Sequence, residues 1–184
     1  MEKAKEALLV MDMQSSILGL LSDTKKLIAD TAQAIKMARD KKIPVIYVVV
    51  GFRQGMPEIS KNNKSFSVIK QNMAHVDMKE WMAIHPDLSP QEQDIIVVKK
   101  RFSAFTGSDL EVLLRGLEVE HLILTGISTS GVVLSTLREA ADKDYKLSII
   151  RDCCADGDEE VHRVLMDKVF PRQAEIISLN QWTS

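Results

Sequence analysis

The chain has 184 residues, of which 45% are hydrophobic and 27% are charged, and its formal net charge is −2. This size and composition are typical of one globular domain, residues 1–184, with a sizeable hydrophobic core. The charge balance provides no basic surface for nucleic acid and no polybasic arm for a membrane, and no apolar run has the length of a membrane span.

Apolar strands alternate with amphipathic helices along the chain. The predicted strands are Ala7 to Met11, Lys42 to Val50, Asp94 to Val98, His121 to Thr125, Lys146 to Arg151 and Ala174 to Ser178. The predicted helices are Thr24 to Arg39, Asp109 to Leu117, about Ser130 to Asp144, and Asp158 to Val169. This alternation predicts an α/β fold of three α/β/α layers around a six-stranded, mostly parallel sheet.

The stretch from Gly51 to Pro90 interrupts this alternation. It is polar, holds three of the five prolines, and carries only a possible short helix near Asp77 to Ala83. Such an insertion is either a lid or binding loop or a solvated surface excursion. A role in a site or a subunit contact is favoured by its apolar anchors, which are Phe52, Met56, Phe66, Met73, Trp81 and Met82.

Polar residues follow four of the predicted strands, where parallel sheets bind their ligands. They are Asp12 after the first strand, Lys99, Lys100 and Arg101 after the third, Ser128 to Ser130 after the fourth, and Asp152 after the fifth. Burial can raise the pKa of an aspartate such as Asp12 to the range of a general acid or base. From the residues alone, the pattern favours a turn aspartate and a solvated cationic strand end over a catalytic pair.

Ser128 to Gly131 opens a helix, whose exposed N–H groups can bind an anion or stabilise an oxyanion. Capping of that helix by Thr129 or Ser130 is the structural alternative, and both can hold at once. Ser130 is a poor candidate nucleophile because no histidine base lies near it in the sequence.

The two cysteines, Cys153 and Cys154, are adjacent, which disfavours an unstrained disulfide and indicates a cytoplasmic protein. Buried structural thiols are the more typical interpretation than a redox pair. The four histidines have no metal-ligand spacing, and neither glycine-rich nucleotide loop is present. We therefore expect no metal and no cofactor.

Four motifs together resemble the isochorismatase-like cysteine hydrolase superfamily. They are Leu8 to Gln14, Val97 to Leu110, Leu124 to Thr129 and Ser148 to Asp156. The resemblance implies the superfamily's fold, a catalytic Asp12, and assembly as a homodimer or homotetramer. It also selects Lys99 over Lys100 as the catalytic lysine, because the superfamily's lysine stands four residues before Ser-Ala-Phe.

Two departures from the superfamily bear on function. The position of its nucleophilic cysteine falls at Val132, which has no atom that can attack a carbonyl. The nicotinamidase Asp-x-His metal site would fall in Val50 to Pro57, which has neither ligand.

The resemblance therefore implies a hydrolase that acts on a small molecule through Asp12 and Lys99, without a covalent intermediate. Negative charge would be stabilised by the amides of Ser128, Thr129, Ser130 and Gly131. The candidates for substrate binding are Gln14, Arg53, Arg101 and Phe105. The alternative is a catalytically inactive member that binds a ligand or serves as an assembly subunit.

The sequence also predicts the distance between two side chains and the conformation of one peptide bond. Asp12 and Lys99 should lie within ion-pair reach, since they are predicted to follow adjacent central strands. The resemblance also implies a cis peptide bond between Ile127 and Ser128.

Overall fold

The computed structural model describes residues 5–72 and 75–183, and within them six strands form one sheet. The strands are β1 (Glu6–Met11), β2 (Val45–Val50), β3 (Ile95–Lys99), β4 (His121–Ile127), β5 (Lys146–Ala155) and β6 (Glu175–Ile177). They run parallel in the order β3-β2-β1-β4-β5-β6. The predicted α/β fold with a six-stranded parallel sheet is confirmed.

Helices connect the strands, and several contain irregular turns. The α-helices are α1 (Ser15–Leu18), α2 (Lys25–Asp40), α3 (Lys64–Asn72), α4 (Met78–Trp81), α5 (Leu110–Gly116), α6 (Leu134–Asp142), α7 (Glu159–Val164) and α8 (Leu179–Thr183). A π-helical turn, Thr129–Val133, leads into α6, and another, Leu165–Val169, follows α7. Short 3-10 turns occur at Pro86–Leu88 and Phe170–Arg172. No helix among the described residues combines the length and apolar character that a membrane crossing requires.

Alternate residues of the central strands pack on opposite faces of the sheet, as the two-residue period of a strand requires. In β1, Leu9 and Met11 belong to the hydrophobic cluster of α5 and α6, whereas Leu8 and Val10 belong to the cluster of α2 and α8. Both faces of the sheet are thus covered, which explains why the strands are continuous apolar runs.

The order of the strands places a switch point between β1 and β4. From β1 the chain moves outward through β2 to β3, and it then returns to β4 and moves the other way through β5. The loops beyond the carboxyl ends of β1 and β4 therefore diverge, and open parallel sheets bind ligands in the crevice that this leaves.

The structure differs from the predicted elements at several places: α1 and α8 were not predicted, and two further differences lie in β5 and in the segment from Gly51 to Pro90. β5 continues to Ala155, so Cys153 and Cys154 lie within the strand and not after it. Its pairing with β4 resumes at Gly126 and Cys154, after a shift of register that follows Leu124. The segment from Gly51 to Pro90 contains α3, which the sequence pattern did not indicate. This segment carries its own cluster of buried side chains, Val50, Phe52, Met56, Ile59 and Phe66, but Met73 lies outside the described residues.

Candidate active site

A cavity of about 410 Å³ opens at the switch point of the sheet. Its lining combines the end of β1, the turn after β4 and the segment 50–81. The lining residues are Asp12, Ile17, Leu20, Leu21, Val50, Phe52, Phe66, Ile69, Trp81, Phe102, Ile127, Ser128, Gly131, Val132, Asp156 and Gly157. A volume between about 300 and 1,000 Å³ is typical of small-molecule sites.

Asp12 and Lys99 form a buried ion pair at this cavity. Lys99 Nζ lies 2.9 Å from Asp12 Oδ2, and only 7% of Asp12 and 2% of Lys99 are exposed. The predicted contact is therefore confirmed. Lys100 instead donates a hydrogen bond to the carbonyl oxygen of Gly51 at 2.7 Å.

The surroundings of Asp12 favour proton transfer at one carboxylate oxygen. Burial raises the pKa of Asp12 to about 6, although the Lys99 ammonium group opposes this shift. Oδ2 accepts from Lys99, whereas Oδ1 is buried and has no hydrogen-bond partner. A carboxylate that has a pKa near neutrality and one oxygen without a hydrogen-bond partner can accept and return a proton.

The prediction that Asp12 and Lys99 follow adjacent strands is wrong. β2 lies between β1 and β3, and β3 is the edge strand of the sheet. Lys99 is in register with Val50, and the Asp12 amide donates to the carbonyl oxygen of Val48, so the pair meets at the end of β2. The length of the lysine side chain bridges the strand that separates them.

The turn after β4 forms a second wall of the cavity. Ser128, Gly131 and Val132 line it, and the peptide bond between Ile127 and Ser128 is cis. A Cβ atom on Gly131 would lie 2.6 Å from Ser128 Oγ, so glycine leaves room for that hydroxyl group. Val132 supplies a methyl surface where the resemblance places a nucleophile.

The predicted anion site in this turn is largely used by the protein itself. The Ser130 amide donates to Asp156 Oδ2 at 2.7 Å, and the Gly131 amide donates to the carbonyl oxygen of Ser128 at 3.1 Å. Thr129 is fully buried, and its hydroxyl group lies 2.8 Å from Nδ1 of His162. Neither predicted cap forms, since Ser128 occupies the N-cap position without a side-chain cap bond.

Gln14 and Phe105 have structural positions and do not line the cavity. The fully buried Gln14 side chain accepts from the Val50 amide at 2.7 Å and donates to the carbonyl oxygen of Trp81 at 2.7 Å. It thereby joins β2 to α4. Phe105 is buried in the core, where its ring stacks on Tyr145.

The two arginines are also absent from the lining of this cavity. Arg53 pairs with Glu58 at 2.8 Å and borders a separate depression near Met78. Arg101 donates to the carbonyl oxygens of Glu58 and Lys100, both at 2.6 Å. The guanidinium groups are thus held by neighbouring protein groups, and that of Arg101 also lies over the ring of Phe66, 5.6 Å from its centroid.

Neither cysteine has the surroundings of a reactive thiol. Burial raises the pKa of Cys154 to about 12, and burial also raises the pKa of Cys153. Neither lines the cavity of Asp12; Cys154 borders a neighbouring cavity together with His162. Among the described residues, no three His, Cys, Asp or Glu side chains are grouped closely enough to hold a metal ion.

The sequence of residues 6–181 matches the profile of the isochorismatase domain family. The chain belongs to the isochorismatase family. Its similarity to YecD of Escherichia coli O157:H7, an uncharacterised isochorismatase family protein, is 30% identity over 95% of this chain and 93% of the relative. It is also 31% identical to the ureidoacrylate amidohydrolase RutB of Acinetobacter baylyi, over 87% of this chain and 75% of that protein.

The fold agrees with solved isochorismatase family structures. An isochorismatase family protein from Burkholderia thailandensis superimposes with a TM-score of 0.84 and 27% identity, covering 96% of this chain and 92% of that one. This agreement supports an isochorismatase-like hydrolase fold.

The sequence of this isochorismatase family member did not predict most of the residues that line the cavity. Ile17, Leu20 and Leu21 come from α1 and the loop after it, and Ile69 from α3. Their signal in the sequence is weak because the runs that hold them, Ile17 to Leu21 and Val68 to Ile69, are too short to show a helical or strand period. His162 lies 33 residues beyond Thr129, so only the fold brings the two together.

Proposed function

We propose that this protein is a hydrolase that cleaves a small molecule through acid–base catalysis by Asp12, without a covalent cysteine intermediate. The observation that carries the proposal is the buried Asp12–Lys99 pair at the cavity, in which the Oδ1 atom of Asp12 has no hydrogen-bond partner within the protein. Burial raises the pKa of Asp12 and the neighbouring Lys99 lowers it, and the net value of about 6 suits a general acid–base group near neutral pH.

The proposed reaction uses water as the nucleophile. The Asp12 carboxylate takes a proton from water, and the resulting hydroxide adds to the electrophilic carbon of the substrate. The bond to the leaving group then breaks, and that group takes the proton back from Asp12. Lys99 holds the carboxylate in place through Oδ2, so the same carboxylate accepts the proton in the first step and returns it in the second.

Two further observations support this route. Val132 borders the cavity without a protic atom, and the native thiols have strongly raised pKa values. The relatives named as ureidoacrylate amidohydrolases, which include one from Yersinia enterocolitica at 32% identity, favour a carbon–nitrogen bond as the bond that is cleaved.

The proposal is tested with a panel of small amides, ureas, esters and vinyl ethers, with products measured by mass spectrometry. Asp12→Asn should lower kcat/KM by about 10²–10⁴ for any substrate that the wild type converts, which is the usual contribution of a general acid–base group. Asp87→Asn is the matched control, since the Asp87 side chain is 75% exposed and does not line the cavity. An unchanged rate in Asp12→Asn would disprove the proposed role.

A non-catalytic ligand-binding protein is the second candidate. The apolar surface of Val132 at the position of the missing nucleophile favours it. It predicts that a panel member binds at the cavity while neither the wild type nor Asp12→Asn converts it.

A further inference from the structure

The lining of the Asp12 cavity is dominated by apolar and aromatic side chains. Three phenylalanines and Trp81 surround it, together with isoleucine, leucine and valine side chains from four separate segments. Trp81 is fixed in place because its Nε1 atom donates to the carbonyl oxygen of Val50 at 2.9 Å. Such a lining favours an apolar group of the ligand, because burial of each methylene is worth about 0.8 kcal/mol.

The charges at the cavity are unsuited to an anion. The charged side chains among its lining residues are Asp12 and Asp156, and both carry carboxylates. Lys99, which pairs with Asp12, has Asp12 Oδ2 and the carbonyl oxygens of Arg101 and Phe102 within 2.9 to 3.0 Å of its Nζ atom. An ammonium group has three donors, so Lys99 has none left for a ligand carboxylate.

The nearby cations are engaged elsewhere. Lys100 donates to the carbonyl oxygen of Gly51, and Arg101 donates to two backbone carbonyl oxygens. Arg53 pairs with Glu58. A ligand carboxylate in this cavity would therefore be desolvated beside acidic side chains without a compensating partner, which is costly.

The cavity is not suited to a strongly cationic ligand either. Asp12 is already paired with Lys99. Asp156 accepts from the amides of Ser130 and Asp158, so its carboxylate is already hydrogen-bonded within the protein. Asp12 Oδ1, an acceptor in one of the lining residues, is buried and has no hydrogen-bond partner within the protein.

From these contacts we infer that the substrate is a neutral molecule in which an apolar or aromatic group is joined to a hydrogen-bond donor, such as a carboxamide N–H. The apolar group lies against Phe52, Phe66 and Trp81, and the donor contacts the Asp12 carboxylate. Ser128 borders the same space and offers a hydroxyl group to the carbonyl oxygen. This inference rests on the proposed function, because it specifies the substrate of the same site.

Three isosteric probes that differ only in charge test the inference: benzamide, benzoate and benzamidinium. Binding to the wild type is measured by ligand-observed NMR and by the quenching of tryptophan fluorescence. We expect benzamide to bind at least tenfold more tightly than benzoate and no more weakly than benzamidinium. In a series of straight-chain amides, each added methylene should tighten binding about fourfold until the cavity is full.

A pair of variants on one helix checks where the selectivity arises. Ile69 lines the cavity, whereas its neighbour Val68 is 51% exposed and does not. Ile69→Lys should tighten benzoate binding about fivefold or more and weaken benzamide binding, because it introduces an unpaired ammonium group. Val68→Lys should leave both affinities unchanged.

Three results would overturn the inference: benzoate binding within threefold of benzamide, benzamidinium binding more than tenfold tighter than benzamide, or no binding of any neutral amide at 50 mM. Binding is measured whether or not the ligand is converted. Failure of the charge selectivity therefore disproves the substrate class alone, and loss of turnover with intact selectivity disproves the catalytic proposal alone.

Discussion

The Nζ atom of Lys99 lies 2.9 Å from Asp12 Oδ2 and equally near the carbonyl oxygen of Arg101, while the carbonyl oxygen of Phe102 is 3.0 Å away. The lysine is thus held in place by three acceptors at the edge of the sheet. Its position leaves Asp12 Oδ1 as the oxygen without a protein partner. In the proposed function Lys99 is a positioning residue, and Asp12 is the group that exchanges the proton.

The pH dependence of the reaction should report the ionisation of Asp12. Its pKa is raised to about 6 by burial, so the carboxylate that acts as the base is lost as the pH falls through that value. We expect kcat/KM to be level above about pH 7 and to fall tenfold per pH unit well below pH 6. A rate that stays constant down to pH 5 would show that a different group acts as the base.

Lys99→Met should move this acidic limb to higher pH. The lysine charge lowers the pKa of Asp12, so its removal leaves only the effect of burial, which raises that pKa. Loss of one partner from a buried ion pair also costs about 3–5 kcal/mol of the free energy of unfolding, measurable by urea denaturation. Lys100→Met is the matched control, because Lys100 contacts Gly51 and not Asp12. A limb that stays near pH 6 in Lys99→Met would contradict the coupling.

The sequence predicted the elements that carry the pair better than the arrangement of the strands. Continuous apolar runs located β1 and β4, because burial on both faces of a parallel sheet requires them. A similar run located the edge strand β3, although its Ile96 is 53% exposed. The strand order is set by long-range packing, which periodicity does not encode, so the separation of Asp12 from Lys99 by β2 was missed.

The candidate ligand contacts were predicted less well than the pair. Arg53 and Arg101 were chosen for their charge, but their guanidinium groups are held by Glu58 and by backbone carbonyl oxygens. The amide of Ser130 was expected to be open, yet the Asp156 carboxylate occupies it from another loop. In each case a contact that the fold creates determines the role of the residue, and the local sequence pattern does not indicate that contact.

Gln14 should contribute to stability and to the shape of the cavity through the two segments that it joins. Gln14→Leu leaves the buried Val50 amide without its acceptor and the Trp81 carbonyl oxygen without one of its donors. We expect a loss of about 2–4 kcal/mol in the free energy of unfolding, since each buried unsatisfied group costs about 1–3 kcal/mol. Weaker binding of benzamide should accompany it as Trp81 becomes less fixed.

Ser16→Ala is the matched control for Gln14. The Ser16 hydroxyl group donates to the same carbonyl oxygen of Trp81 at 3.0 Å, but it is not buried in the core. Its removal should cost about 1 kcal/mol. Equal losses in the free energy of unfolding would show that the buried hydrogen bonds of Gln14 stabilise the protein no more than the Ser16 hydrogen bond does.

Val132→Cys should create a reactive thiol where the wild type has none. The side chain borders the open cavity near the start of the helical segment that continues into α6, and a helix N-terminus lowers the pKa of a thiol. In a Cys153→Ala, Cys154→Ala background, iodoacetamide should add one label to Val132→Cys, measured by intact mass. Val133→Cys is the matched control, because Val133 is fully buried in the core and does not line the cavity.

The same variant separates the two mechanisms at this site. An activated amide or ester should leave a transient acyl adduct on Val132→Cys, while the wild type should gain no mass, because Val132 has no attacking atom and the proposed reaction uses water as the nucleophile. Equal labelling of Val132→Cys and Val133→Cys would indicate local opening of the helix and not access through the cavity. An acyl adduct on Cys153 or Cys154 of the wild type would replace the water mechanism with a covalent one.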